Sequence, residues 1–321
     1  MKKKALALAV TALMAISMTA CGGSQSDSSS GSSSSGSAKA TSSASSAGEV
    51  TESASSVSSA STGTAEGGEK TDVQVFIAAS LNTVMTDLAD QYMEQHPDVN
   101  IVLTADSSGK LMQQIEEGYS CDLFFSAAQK QMDQLETDNL VVSGTRHNVL
   151  NNQLVVLTYK DSGTAVTGLE NLKDAKSIAL ADGSVPVGKY TRQALMNLGI
   201  LAKTDDPSTY TTQQVSEALG GVEISEQGNV SKVLEAVKEH SCEVGTTYYS
   251  DTYGFEDEVE VLQTVSYDVS GDIIYPIAQI TNQEASGEET EAAADFENFV
   301  LSDESKTVFQ KYYFDTNVSD S

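Results

Sequence analysis

The stretch VQVFIAASLNTVMTDLADQYMEQHPDVN, residues 73 to 100, constrains the fold more than any other part of the chain. Val73 to Ala79 is an apolar, β-rich run. Leu81, Val84, Met85, Leu88, Ala89, Tyr92 and Met93 then recur at spacings of three and four, the period of an amphipathic helix. His96-Pro97 stops that helix, because proline disfavours helical backbone in the residue before it. A strand thus hands over to a helix through a bare Ser80, with no charge and no glycine at the junction.

The alternation continues along the chain. "NIVLT" (100–104) reads as a strand, "SSGKLMQQIEEG" (107–118) as a short helix ended by Gly118, "DLFFSA" (122–127) as a strand and 129–138 as a helix. "NQLVVLT" (152–158), "SIALA" (177–181), "VGTTYY" (244–249) and "DIIYPIAQI" (272–280) read as further strands. Helices fall near Lys189 to Leu198, around Val230 to Val237, and at about 290–301 and 303–313. Strands alternating with helices predict an α/β fold of mostly parallel sheets flanked by helices. In such sheets ligands bind at the carboxyl ends of strands, where helices begin.

The first 70 residues are a different kind of polymer. Lys2, Lys3 and Lys4 precede the apolar run Ala5 to Ala20, the pattern of a signal peptide over residues 1–20. The run is short of the ~20 residues that span a bilayer. "MTAC" then ends in Cys21, and a small residue before a cysteine resembles the lipobox of bacterial lipoproteins, with Met18 where leucine is usual. By that resemblance Cys21 carries lipid. Residues 21–70, rich in Ser, Gly, Ala and Thr, cannot bury enough apolar surface to offset chain ordering and read as a flexible linker.

Charge sorts the possible partners. Residues 1–70 hold five Lys and five Asp/Glu, so residues 71–321 carry the whole formal charge of −28, with 13 Lys/Arg against 41 Asp/Glu. Nucleic-acid binding needs clustered Lys/Arg and is disfavoured. Strong acidity suits a solvated surface outside the cytosol. Cys121 and Cys242 each precede an apolar run and are expected to be buried free thiols. His96, His147 and His240 lie in polar contexts and are expected at the surface.

Four runs of small or polar residues fall at helix starts: Ala79-Ser80-Leu81, Asp106-Ser107-Ser108-Gly109, Val185-Pro186-Val187-Gly188 and Gly228-Asn229-Val230. A helix start exposes unpaired N–H groups and the positive end of the helix dipole, which favours anions. Ser and Asn are also preferred N-caps, so each site alone is accounted for by capping. Four in one α/β chain shift the balance toward a shared anion pocket.

Taken in order, "VFIAASLNTVMTDLADQY", "ADSSGKLMQQIEEGYSCDLFFSAAQKQMD", "VPVGKYTRQALMNLG", "GTTYYSD", "IIYPIAQI" and "LSDESKTVFQKYYF" resemble the molybdate-binding proteins of bacterial molybdate ABC transporters. The likeness runs from about 73 to 314. It implies a type II periplasmic-binding-protein fold, two α/β lobes joined by two crossing strands, with the ligand in the cleft. Lobe 1 is expected over 71–150 and 268–321, and lobe 2 over 151–267.

The resemblance also implies the ligands of one oxyanion, molybdate or tungstate. Ser80 and Ser108 match the two serines that donate hydroxyls. Val187 and Val230 match residues that donate backbone N–H, and Tyr248 matches the tyrosine that donates its hydroxyl. Val187 stands where alanine is usual, and Asp106 where small or neutral residues are usual, beside a site for a dianion. No cofactor and no cation site are implied. The implied partner is an ABC transporter membrane permease. The chain is expected to be a monomer held outside the cytoplasm on the cell membrane by its lipid.

The chemistry agrees without the family. A tetrahedral dianion offers only acceptors, and Ser, Tyr and backbone N–H can all donate. Distant surface carboxylates are largely screened at a Debye length of about 8 Å. Sulfate or phosphate on the same fold is the alternative. A ferric site through Tyr248-Tyr249 or Tyr312-Tyr313 is disfavoured, because neighbouring strand residues point to opposite faces. A serine hydrolase is disfavoured because no G-x-S-x-G elbow surrounds Ser80.

Overall fold

Alternating apolar positions build two five-stranded sheets in this computed structural model, which describes residues 70–319. The predicted signal segment, Cys21 and the linker lie outside the described residues. The first stretch of chain runs β1 (Thr71–Ala78), a 3-10 turn (Ala79–Leu81), α1 (Asn82–Gln95), β2 (Val99–Asp106), α2 (Ser108–Glu116), β3 (Leu123–Phe125), α3 (Gln129–Thr137) and β4 (His147–Asn152). The chain continues through β5 (Leu154–Tyr159), β6 (Ser177–Ala181), α4 (Pro186–Asn197), α5 (Thr212–Ala218), β7 (Glu223–Gln227), α6 (Val230–Lys238), β8 (Val244–Tyr248) and β9 (Val259–Thr264). It closes with α7 (Tyr267–Ser270), β10 (Ile273–Gln279), α8 (Gly287–Val300) and α9 (Asp303–Lys311).

The first sheet has the order β2-β1-β3-β10-β4 and the second β7-β6-β8-β5-β9. Both are mixed, where the alternation predicts mostly parallel sheets. β1 runs parallel to β2 and β3, but β10 is antiparallel to β3 and β4. β6 runs parallel to β7 and β8, while β5 is antiparallel to β8 and β9. The antiparallel strands are the ones that arrive from the other sheet. β4 and β5 belong to different sheets yet are separated by Gln153 alone, and β10 returns to the first sheet after β9 in the second.

Period-two alternation divides the first sheet's residues between two cores. Val73, Val75, Ile77, Leu123, Phe125 and Ile277 join the larger core with Val84, Met85, Leu88 and Tyr92 of α1. Phe76, Phe124 and Ala278 face the other way, onto Leu111 and Ile115 of α2 and Met132 and Leu135 of α3. Both faces are therefore covered. That leaves the carboxyl ends of the strands, where helices start, as the exposed edge of chemistry.

Glycines stop the helices where the sequence places them. Gly118 after α2 and Gly199 after α4 take φ of +86° and +74°, a left-handed conformation that costs glycine little. Inside α4, Arg192 is fully buried. Its guanidinium donates to the carbonyls of Tyr210 (2.8 Å), Ala181 (2.8 Å) and Gly188 (2.9 Å), and to Thr212 Oγ1 (3.2 Å). A buried cation persists only when its donors are met in this way. These bonds tie the first turn of α4 to the end of β6. Burial of the guanidinium still pulls its pKa down from the usual arginine value.

Cys121 and Cys242 are free and buried. Among the described residues, no helix is long and apolar enough to cross a membrane.

Candidate functional site

Each sheet sends its strand ends into one small cavity. Ala78, Ala79, Ser80, Ser107, Ser108 and Ala127 come from the first sheet's connections. Val185, Pro186, Val187, Val230 and Tyr248 come from the second's. All five residues singled out in the sequence, Ser80, Ser108, Val187, Val230 and Tyr248, line this cavity together. They come from separate elements spread over more than half the described chain.

Local structure differs from plain capping. Ser80 lies inside the 3-10 turn, and neither that turn nor α1 has a side-chain cap. Ser107 is the residue before α2, and it too makes no cap bond. Val185 precedes α4, with Pro186 as the first helical residue, again without a side-chain cap. Asn229 is the exception, since its Oδ1 accepts from Lys232 N–H at 3.0 Å and caps α6. By contrast, α5, α8 and α9 start with Thr211, Ser286 and Ser302 making cap bonds. The N–H groups of Ser80, Ser108, Val187 and Val230 meet no acceptor among the described residues. First-turn N–H groups have no intrahelical partner either.

The side chains are oriented by bonds from behind. Ser80 Oγ lies 2.9 Å from the Tyr275 hydroxyl on β10. Ser108 is buried, and its Oγ accepts from Ala127 N–H at 3.0 Å, which leaves its hydrogen free. Tyr248, the last residue of β8, is 1 % exposed. Its hydroxyl is buried and has no hydrogen-bond partner among the described residues. Buried polar groups are nearly always paired, so this one calls for an explanation. Burial holds its pKa well above the ordinary tyrosine value, so it is a protonated donor.

Close packing sets the walls. A Cβ at Gly188 would run into the carbonyl oxygens of Asp182 and Ala181, so α4 can approach β6 only with glycine there. A Cβ at Gly109 on α2 would lie 3.1 Å from Ser184 O, which belongs to the second sheet's connections. The two sides also touch through Lys130 Nζ, 2.9 Å from Asp206 Oδ2 and 3.2 Å from Ser208 Oγ. Such exposed pairs contribute only about 0–1 kcal/mol.

Asp106, which the sequence places beside the proposed site, does not line the cavity. Its carboxylate takes Lys110 Nζ, Ser107 N–H at 2.8 Å and Asn229 Nδ2 at 3.5 Å. Burial works against its charge, but these donors outweigh it and hold its pKa below the ordinary carboxylate value. None of His96, His147 or His240 lines the cavity. Tyr249 leaves the strand in a 3-10 turn and stacks on Tyr313 with ring centres 5.0 Å apart, so it does not join Tyr248 at the cavity.

Sequence reasoning missed Tyr275, Asn152 and Arg192. Tyr275 carries a polar tip within the apolar run IIYPIAQI, where period-two alternation puts it on the same buried face as Ile273 and Ile277. That alternation was the available signal. Nothing local marks Asn152 or Arg192.

Two α/β sheets linked through crossing strands, with one donor-lined cavity between their strand ends, define a solute-binding protein of the periplasmic type II class. The bacterial extracellular solute-binding protein family matches residues 73–315, and the chain belongs to it. The molybdate-binding protein ModA of Escherichia coli is 30% identical over 252 residues, covering 75% of this chain and 88% of ModA. YvgL of Bacillus subtilis, named as an ABC transporter substrate-binding lipoprotein, is 26% identical and covers 78% of this chain and 89% of its own length. Among solved structures, one described as the substrate binding domain of a molybdenum ABC transporter from Clostridium difficile is 30% identical. It aligns with a TM-score of 0.56, covering 77% of this chain and 99% of its own.

Proposed function

We propose that this chain captures molybdate, and tungstate with it, outside the cytoplasm and delivers it to an ABC importer. One observation carries the reading. The Tyr248 hydroxyl is buried without a partner among the described residues, in a cavity that also receives the Ser80 and Ser108 hydroxyls and four helix-start N–H groups that meet no acceptor among those residues. Such a lining has donors to offer and no carboxylate to repel, which suits a fully deprotonated oxyanion. Hydrogen bonds to a charged group contribute roughly 1.5–3 kcal/mol each, so a handful provides tight binding without a cation in the wall.

The ligands in this reading are Ser80, Ser108, Val187, Val230 and Tyr248. The lobe of residues 71–150 and 268–321 supplies the two serines, and the lobe of 151–267 supplies the rest. An ion that needs both sets favours the closed cleft. The importer's permease then takes the closed protein. The named relatives support the ion and the transporter, and the lipoprotein named among them supports lipid on Cys21. The protein acts as a monomer and performs no catalysis.

Titration calorimetry on the purified protein tests this. One tight site for molybdate and tungstate, with sulfate much weaker, is expected. A preference for sulfate, phosphate or ferric ion would overturn the ion assignment. Ester or phosphoester hydrolysis that disappears in Ser80→Ala would overturn the transport reading altogether.

A further inference from the structure

Behind Ser80, a chain of hydrogen bonds fixes the direction of its proton. Asn152, buried at the end of β4, is the starting point. Its Oδ1 accepts from Gln153 N–H at 2.9 Å. The reversed amide would set two donors against each other, so the orientation is settled by its partners. The two Nδ2 hydrogens therefore face Ser250 Oγ at 2.7 Å and the Tyr275 hydroxyl at 3.1 Å.

An amide nitrogen only donates, so the Tyr275 oxygen must accept from it. Tyr275 is fully buried, and burial keeps its phenol protonated by raising its pKa well above the ordinary value. Ser80 Oγ, at 2.9 Å, is the other partner of that hydroxyl. If Ser80 donated to Tyr275, the phenol hydrogen would be buried with no acceptor among the described residues. Leaving a buried donor unmet is the costly arrangement. Tyr275 donates to Ser80, and the single Ser80 hydrogen is left for the cavity.

We infer that Tyr275 and Asn152 are positioning residues that make Ser80 an obligate donor, so that the site selects ions whose facing oxygen carries no proton. Ser108 is held the same way by Ala127 N–H. An ion that keeps a hydroxyl at neutral pH, such as hydrogen phosphate, needs an acceptor in the wall. If that hydroxyl donated to Ser80, the Ser80 hydrogen would lose its own acceptor. The inference rests on the oxyanion reading of this cavity.

Two variants of the full-length protein test it. Tyr275→Phe removes the donor behind Ser80. Asn152→Asp is nearly isosteric but accepts from Tyr275, which turns the relay round and makes Tyr275 take the Ser80 hydrogen. Calorimetry at pH 7.5 with molybdate and with inorganic phosphate gives the ratio of their affinities, and thermal melting checks folding. We expect molybdate affinity to fall at least tenfold in each variant. The molybdate-to-phosphate ratio should narrow by at least tenfold, which a merely structural or charge effect would not produce. An unchanged ratio in folded Asn152→Asp would overturn the inference. If the wild-type protein binds sulfate rather than molybdate, the ion assignment fails, and the ratio measured with sulfate still decides the relay.

Discussion

Replacing Tyr248 with phenylalanine separates a ligand from a structural residue by the sign of two effects. The ring is 1 % exposed, and its hydroxyl makes no hydrogen bond among the described residues. Tyr248→Phe keeps the packing and breaks no bond among them. An unmet buried polar group costs about 1–3 kcal/mol, so removing it leaves the ligand-free fold as stable or more so. At about 2–4 °C per kcal/mol for a chain of this size, relief of even part of that cost raises the melting temperature by a few degrees. Binding moves the other way. Losing one donor to a charged ligand costs about 1.5–3 kcal/mol, or roughly 10- to 140-fold in Kd. Differential scanning calorimetry without ligand and titration calorimetry with molybdate measure the two. A lower melting temperature with unchanged affinity would refute the argument, because it would make the hydroxyl a structural group.

Two further outcomes are expected. Burial pushes the Asp251 carboxyl up to about 6, against the bonds it accepts from Thr247 Oγ1 and Tyr248 N–H. A raised acid stabilises the fold while protonated, so its contribution is full below about pH 4 and lost as pH rises through about 6, a change of up to about 3 kcal/mol. Melting curves from pH 4 to 7 should therefore show the wild type falling relative to Asp251→Asn, and parallel curves would contradict the assignment. Gly188→Ala should destabilise the ligand-free fold by about 3 kcal/mol or more, since two backbone carbonyls block its Cβ. Gly109→Ala, which meets only Ser184 O across the cleft, should weaken molybdate binding and leave the ligand-free melting temperature nearly unchanged. Equal losses of stability in the two alanine variants would refute that distinction.

The sequence made the helix starts legible because apolar periodicity marks where strands end and helices begin. Ser80, Ser108, Val187 and Val230 could be read from those junctions, and Tyr248 from the motif that carries it. The edge strand β7, EISEQ, was not legible, because it is mostly exposed and lacks an apolar stripe. β4, HNVLNN, was hidden by its polar residues, so the run at 152–158 hid a change of sheet at Gln153. The support behind Ser80 was out of reach for a different reason. Ser80 and Tyr275 are 195 residues apart, and Asn152 and Tyr275 are 123 apart, so only the folded chain brings them together. Asp106, by contrast, has a partner that the sequence itself shows. Its neutralising Lys110 sits at i+4 on the adjoining helix, where a partner is to be expected.

The chain holds 12 tyrosines and no tryptophan. That gives the Tyr248–Tyr275 pair, edge-to-face with ring centres 6.0 Å apart, a second consequence. Both rings are buried in fixed, chiral surroundings, where no indole signal covers theirs in the near ultraviolet. An acceptor that takes the Tyr248 hydrogen changes the electronic environment of one ring and, through the pair, of its neighbour. The unlabelled protein thus carries its own optical reporter at the cavity wall, and filling of the site can be followed by circular dichroism or difference absorption without a dye.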